Sequence, residues 1–514
     1  MARSSNREAL HSVGWKRPPA CHKPIYMYTL YKMNVSFCIT ILIALKICIT
    51  NCQHAKKAPN IAVVGGGIGG ASASYFLNQL FSTPQFGANI HLYEGKAIGG
   101  RLAVVNVGNH DYESGGSVIH SRNKYMVDFA KFLGLTYEKL SSDGKFGIYN
   151  GKKYVFKSSG WEWVTLLKMF WRYGLDIYRL KSLVTDMINK LSRIYIHQND
   201  GVAFTSVEKL MNSMDKSFAN FTTTSLEETL KNAGYGDLII SELVAAATRT
   251  NYGQNTNSIQ GFVGLVAIAG FGFDLWDVKE GNYKVPELLI KRSNAKVIQN
   301  DITSIELLKD SQYLLRFSEN ESRLYDIVII ATPLTKDLCN IKFSGFPSHI
   351  APEQGTYHRT VATFVQGSRN LKAINLKDAN IDSILTVAEV KQFTSFSELQ
   401  PINAKNSGKP VYKIFSQKPL TEAELDYLFL ERSETKVVDW LAYPDYEIPQ
   451  PLGKFVLHEP GLYYTNAIEK AASAMEMSAI SGRNAALLAY NKWFKKNSKI
   501  NLLDNITKEA KSEL

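Results

Sequence analysis

The chain has 514 residues, 45% of them hydrophobic and 11% aromatic, enough apolar material for a large core and roughly two to four domains. Only 21% of residues are charged, which excludes wholesale disorder. The net charge of +12 carries no nucleic-acid signal: residues 1–52 hold seven basic side chains against the single acid Glu8, leaving +6 over the other 462 residues without a basic block.

The first feature along the chain is Val35–Ile49, an apolar run of about fifteen residues broken by Lys46. It is short for a membrane span and suits the hydrophobic region of a secretory signal. Cleavage is expected near Thr50–Cys52 with Met33 as the true start, and an uncleaved signal anchor is the alternative. Acceptor sequons at Asn220, Asn320 and Asn505 agree with the secretory pathway, and of five cysteines only Cys339 lies beyond Cys52. A body without a disulfide framework must then rest on its core.

The body opens on Asn60–Val64, a continuous apolar run of the buried parallel-strand kind. Gly65, Gly67 and Gly70 follow in the G-x-G-x-x-G spacing, then a helical pattern, then a second strand, Ile90–Tyr93, ending on Glu94. Gly65 makes the tight turn, Gly67 lets the backbone approach a pyrophosphate, and Gly70 permits close helix–strand packing. The helix N-terminus offers free N–H groups to phosphates, and Glu94 offers a carboxylate to ribose hydroxyls. Strand, triplet, helix, strand and acid in order make a dinucleotide site, where a lone glycine triplet would be weak.

Gly99-Gly100-Arg101 follows closely. It resembles the second flavin signature of the amine oxidase and protoporphyrinogen oxidase superfamily, which implies FAD rather than NAD. Gly115, Gly116 and Ser117 resemble that superfamily's approach to the isoalloxazine. Lys296–Ile305 resembles the segment that meets the adenine, with Ile302 in the contacting position, and Asp326–Pro333 the strand that returns to the nucleotide domain. Ala474–Arg483, with Glu476, resembles the closing flavin motif, a helix whose N-terminus faces the flavin. The usual acid before that helix is missing, and Asn466 and Glu469 are the nearest substitutes for the ribityl contact. The expected fold is α/β: a doubly wound, Rossmann-like FAD-binding domain of amine-oxidase type in three pieces (58–130, 283–335 and 440–492). An α+β substrate domain (131–282 and 336–439) is interleaved with it, and a tail (493–514) follows.

Further strings are more specific: Glu113–His120, Trp171–Gly174, Arg249–Gln254, Lys413–Gln417, Trp440–Pro444 and Ala471–Ala479. Through them residues 58–490 resemble the prenylcysteine oxidase family, lysosomal flavin thioether oxidases. The resemblance implies a prenylated cysteine as substrate and dioxygen as acceptor. Hydride loss from C1, between sulfur and an alkene, leaves a cation shared by both, so alignment and a dry pocket suffice without a strong base. Water then adds, and collapse releases prenyl aldehyde and cysteine, with hydrogen peroxide from dioxygen.

His120 is a candidate to position water or the substrate carboxylate, or else a structural histidine. Arg249 and Tyr252 are candidates to bind the cysteine carboxylate, or else part of a structural ion pair. No metal site is expected. Residues 161–191 are aromatic-rich with interspersed Lys168, Arg172 and Arg179, and read as an isoprenoid tunnel, a face resting on a membrane, or an ordinary pair of core helices. Glu280 stands where the family tends to have glycine and is expected to alter substrate fit if its loop lies near the flavin. Two other readings stay open: a flavin amine oxidase, which would release ammonia, and a non-catalytic prenyl-lipid-binding paralogue.

Overall fold

A computed structural model describes residues 58–82, 87–140, 144–270, 274–318, 321–377, 380–403 and 408–502. The signal segment, its cleavage zone, Asn320 and Asn505 lie outside these residues. The chain enters on β1 (Asn60–Val64), turns into α1 (Ile68–Phe81) and returns on β2 (Asn89–Tyr93). Helix α2 (Lys124–Leu133) precedes a helical hairpin of α3 (Glu162–Tyr173) and α4 (Asp176–Leu191). Then come β3 (Lys296–Ile298), β4 (Ile327–Ile330), β5 (Tyr357–Arg369), β6 (Val411–Ser416), β7 (Phe429–Pro444), β8 (Leu462–Tyr464) and α5 (Met475–Trp493).

The nucleotide sheet has the order β3-β2-β1-β4-β8, every pair parallel, with Val456–His458 antiparallel on the far edge. A parallel sheet is covered on both faces, which is why β1 and β4 read as unbroken apolar runs and are buried almost throughout. Its strands come from widely separated parts of the chain, with β8 more than 130 residues after β4 in sequence. This is the α/β, doubly wound architecture expected from the motifs.

Small residues set the closest helix contact. A Cβ on Gly482 of α5 would lie 2.5 Å from the Gly69 carbonyl oxygen of α1, and the Ser72 hydroxyl donates to the Ala479 carbonyl at 2.9 Å. The two helices therefore cross nearly backbone to backbone. That crossing brings the start of α5, 407 residues after Ser72 at that hydrogen bond, alongside the glycine turn.

A second, seven-stranded sheet has the order β7-β5-β6, then Ser395–Leu399, Ser383–Thr386, Phe146–Tyr149 and Tyr154–Lys157. All its pairs are antiparallel except Ser383–Thr386 with Phe146–Tyr149. Trp440–Pro444 thus run in this sheet, as the end of β7. Beyond α5, Lys499 and Asn501 hydrogen-bond the backbone of Ala203, which docks residues 493–502 on the body.

Candidate active site

A cavity of about 2540 Å³ runs from the glycine turn to the α3–α4 hairpin. Ordinary small-molecule sites are about 300–1,000 Å³, so this one has room for a dinucleotide and an elongated substrate together. At one end the turn is built for close approach. Gly65 has φ +111°, and a Cβ there would sit 2.6 Å from the Ala331 carbonyl oxygen. A Cβ on Gly70 would lie 1.9 Å from the Gly65 carbonyl oxygen, whereas one on Gly67 would meet nothing nearer than 3.8 Å. Gly70 is therefore a packing residue and Gly67 the open cradle. Helix α1 has no capping side chain and no acid in its first turn, and Gly67, Ile68 and Gly69 line the cavity. Its unpaired N–H groups and positive dipole end are an anion site. The Glu94 carboxylate is fixed by N–H bonds from Gly66 (2.7 Å) and Lys96 (2.8 Å) and lines the cavity, as a ribose ligand requires. Ile302 is buried and does not reach the cavity wall, but its neighbour Asp301 does.

The second glycine loop lies against the first. Gly99 bridges to Gly67, and its N–H donates to the Gly66 carbonyl at 3.0 Å. Gly99 (φ +122°), Gly100, Arg101, Gly115, Gly116 and Ser117 all line the cavity. Arg101 donates to both carboxylate oxygens of Glu469 and to the Ala442 carbonyl at 2.6 Å. Burial works against its charge, but Glu469 outweighs it and raises the guanidinium further above its ordinary value. Glu469 also accepts from Tyr357 (2.8 Å) and Asn466 (2.7 Å). The two substitutes considered for the missing acid thus hold each other and Arg101. Ala474–Ser478 at the start of α5, which also lacks a capping side chain, form a second uncapped helix N-terminus on the wall. These features fit a flavin dinucleotide: a carboxylate for ribose, one helix end for pyrophosphate and another for an electron-rich ring edge.

Several expected residues take other roles. Arg249 does not line the cavity: it is buried and donates to the carbonyls of Thr386 (3.1 Å) and Val390 (2.6 Å) and to Asn255 (3.0 Å). Burial pulls its guanidinium down to about 10. It is neither a carboxylate ligand nor half of an ion pair, but a clamp on main-chain acceptors. Glu476 lines the cavity, but its carboxylate is engaged by protein donors. It accepts N–H bonds from Tyr125 (2.8 Å) and Met126 (3.0 Å) and the Tyr195 hydroxyl (2.8 Å), holding the positive end of α2, while burial pushes it up to about 7. Glu280 accepts from the N–H and hydroxyl of Thr136 and is not on the cavity wall, so it does not alter the fit there. Tyr252 is on the wall, but its hydroxyl donates to the Ser473 carbonyl at 3.0 Å. His120 is on the wall with Nδ1 accepting the Arg122 N–H at 3.1 Å. Burial lowers its pKa, so the ring is neutral with the proton on Nε2.

The wall also holds a pair with no role assigned from sequence. Lys413 of β6 is buried, donates to the Glu113 main-chain carbonyl at 3.1 Å and lies 4.7 Å from the Phe415 ring centroid. Burial pulls it down to about 8. Glu113 accepts the Asn282 N–H at 2.5 Å, its Oε2 finds no partner among the described residues, and burial pushes it up to about 7. Both groups can change protonation near neutral pH, as acid–base work requires. The available signal was one charge inside an otherwise apolar strand, Val411-Tyr412-Lys413-Ile414-Phe415.

Two predictions follow from these roles. Arg249→Met strands the buried acceptors and should cost about 3 kcal/mol of stability, read as a lower denaturation midpoint. A KM change with unaltered stability would restore the ligand reading. A buried acid with a raised pKa gives stability that is full below its unfolded value near 4.5 and lost as pH climbs through about 7. Glu113→Gln should therefore flatten the fall in stability between pH 4.5 and 7 by on the order of 2 kcal/mol; thermal melts across that window that match the wild type would refute it.

The family profile described as Prenylcysteine lyase matches residues 156–502, and NAD(P)-binding Rossmann-like domain matches residues 63–133. The chain is 38% identical over 484 residues to "Prenylcysteine oxidase 1" of Bos taurus, covering 89% of this chain and 94% of that one. It is 37% identical over 498 residues to the Homo sapiens protein of that name, covering 91% and 97%. It is 35% identical over 496 residues to "Prenylcysteine oxidase 1-like" of Mus musculus, covering 92% and 99%. Among solved structures, cyclohexylamine oxidase from Brevibacterium oxydans matches with a TM-score of 0.57 at 14% identity, over 85% of this chain and all of the other. Putrescine oxidase matches with 0.55 at 12%, over 84% and 98%. These two likenesses show the flavin amine-oxidase fold, and the sequence relationships, extending over nearly the whole of each relative, show that the chain belongs to the prenylcysteine lyase family.

Proposed function

We propose that this chain is an FAD-dependent oxidase that cleaves the thioether of farnesyl- or geranylgeranylcysteine with dioxygen and water, giving prenyl aldehyde, free cysteine and hydrogen peroxide. The observation that carries this reading is the continuity of one cavity. Its polar end is the dinucleotide cradle and its far wall is apolar, from Leu166 and Met169 of α3 and Leu180, Val184, Met187 and Leu191 of α4. Glu94 and the two uncapped helix ends are the residues and backbone that would hold FAD, which when bound would supply a two-electron acceptor that dioxygen can regenerate.

The chain's own residues do the rest. The α3–α4 wall lays out the isoprenoid and excludes water from it, which fixes C1 near the polar end. With Arg249 tied up, Lys413 and the Nε2–H of His120 are wall donors for the cysteine carboxylate, on a wall that also carries Arg122, Lys181 and Lys279. Glu113, with a carboxyl near 7, takes the proton of the water that adds to C1. Among the alternatives, the amine oxidase reading has support from fold alone. The non-catalytic reading loses one of its motives, since Glu280 is held by Thr136 away from the wall.

The decisive test is anaerobic addition of farnesylcysteine to the purified mature protein. The visible flavin bands should bleach and return with air, with one peroxide formed per cysteine released; bands that persist would overturn the reading. We also place the chain in the secretory pathway and lysosome. The Val35–Ile49 run supports this, as does the exposure of Asn220 at the end of a short helix. Mass spectrometry of the native chain should find glycan at Asn220 and a mature N-terminus near Thr50–Cys52, and an unmodified Asn220 with a retained leader would contradict it.

A further inference from the structure

Helix α3 has two apolar faces. Thr165, Met169 and Tyr173, spaced i, i+4 and i+8, are buried. On the opposite side Trp163, Leu167, Phe170 and Trp171, spaced i, i+4, i+7 and i+8, are exposed, with Trp161 just before the helix and Leu175 in the turn to α4. Trp161 is 69% exposed, Trp163 65%, Trp171 81% and Leu175 69%. Isolated surface hydrophobes are common, but three indoles and their aliphatic neighbours concentrated on one hairpin mark a contact surface.

Charge identifies the partner. Residues 157–181 carry Lys157, Lys168, Arg172, Arg179 and Lys181 against Glu162 and Asp176, a net +3. Arg172 is paired with Glu242 and Arg179 with Asp176. Lys157, Lys168 and Lys181 are exposed and make no ion pair among the described residues. Indoles together with unpaired lysines suit the interface of an anionic bilayer. The 12 residues of α3 extend about 18 Å, against about 30 Å of hydrocarbon, and no helix of the described residues is long and apolar enough to cross a membrane. The hairpin therefore lies on a bilayer rather than through it. The same two helices supply the apolar cavity wall, through Leu166, Met169, Leu180 and Val184.

We propose that the α3–α4 hairpin is a docking surface for an anionic phospholipid bilayer, into which Trp161, Trp163, Trp171 and Leu175 insert, and that a prenyl chain passes from membrane to cavity along these helices. The second clause rests on the proposed oxidase activity; the first does not.

The experiment is sedimentation of the full chain with vesicles of phosphatidylcholine, with and without phosphatidylserine, in the absence of substrate. Wild type should bind the mixed vesicles with a blue shift of tryptophan emission and quenching by brominated lipid. Binding should fall about ten-fold or more in the Trp161→Ser, Trp163→Ser, Trp171→Ser variant. Lys157→Glu with Lys168→Glu should remove the dependence on phosphatidylserine. Turnover of a water-soluble short-chain thioether should be unchanged in both variants. Because binding is read without turnover, an inactive protein that docks sinks the oxidase reading and the passage of the prenyl chain but leaves the docking surface standing, and an active one that does not dock sinks only this proposal. Equal binding by the tryptophan variant would overturn the proposal, as would emission insensitive to brominated lipid. So would light scattering that finds a wild-type dimer and a monomeric variant, which would make the patch an interface between copies of this chain.

Discussion

Arg101 and Glu469 meet 368 residues apart in sequence, at the point where the second glycine loop, the end of β7 and the turn leading to α5 come together. Glu469 is all but completely buried, and its charge is tolerable only because Arg101, Asn466 and Tyr357 all donate to it. This ion pair ties the second glycine loop to the turn that leads into α5. It acts together with the Ser72–Ala479 and Ser481–Thr465 hydrogen bonds, which also hold the first turns of α5. The close crossing of α1 and α5 through Gly69 and Gly482 then fixes two uncapped helix ends on one cavity.

Those helix ends divide the cavity chemically. Near them the wall is polar, made of glycine backbone, the Glu94 carboxylate and unpaired N–H groups, a surface suited to phosphates and a ring that gains electrons. Farther along, α3 and α4 line it with aliphatic side chains. Glu113 and Lys413 line the same cavity, neither in its ordinary protonation range because neither is well solvated. Removing hydride from a carbon that sulfur and an alkene already stabilise calls for geometry and dryness more than for a strong base. A site of this kind, with tunable groups and no conspicuous dyad, is what that chemistry needs.

The α3–α4 hairpin joins catalysis to the surroundings. A helix with one apolar face would complete the core and stop there. Helix α3 has a second, and the two faces serve different solvents: one the cavity, the other whatever lies outside the protein. Arg172, anchored on Glu242 with support from the Tyr173 hydroxyl, fixes the helix between them. The string Trp171–Gly174, recognised as a unit in the sequence, thus joins an exposed indole to a partly buried ion pair.

The sequence by itself determined the nucleotide half. Gly65, Gly67, Gly70 and Glu94 act within about thirty residues of one another, under local constraints: a turn that needs positive φ, a strand buried on both faces, a helix end left open. Gly99–Arg101 and Gly115–Ser117, which line the cavity, were legible for the same reason, because backbone packed this closely leaves a glycine signature. Tertiary structure decided the rest. Arg249 and Glu476 look like ligands in sequence, yet their charges are consumed by Val390 and Thr386 carbonyls and by the α2 N-terminus, partners that no spacing predicts. Lys413 reads as one basic residue in a strand until β5 and β6 bury it over Glu113. Whether residues 161–191 were core, tunnel or surface could not be read from periodicity, since an apolar stripe records hydrophobicity and not what faces it. Only the placement of α3 at the edge of the cavity assigned one stripe to the interior and left the other in the open.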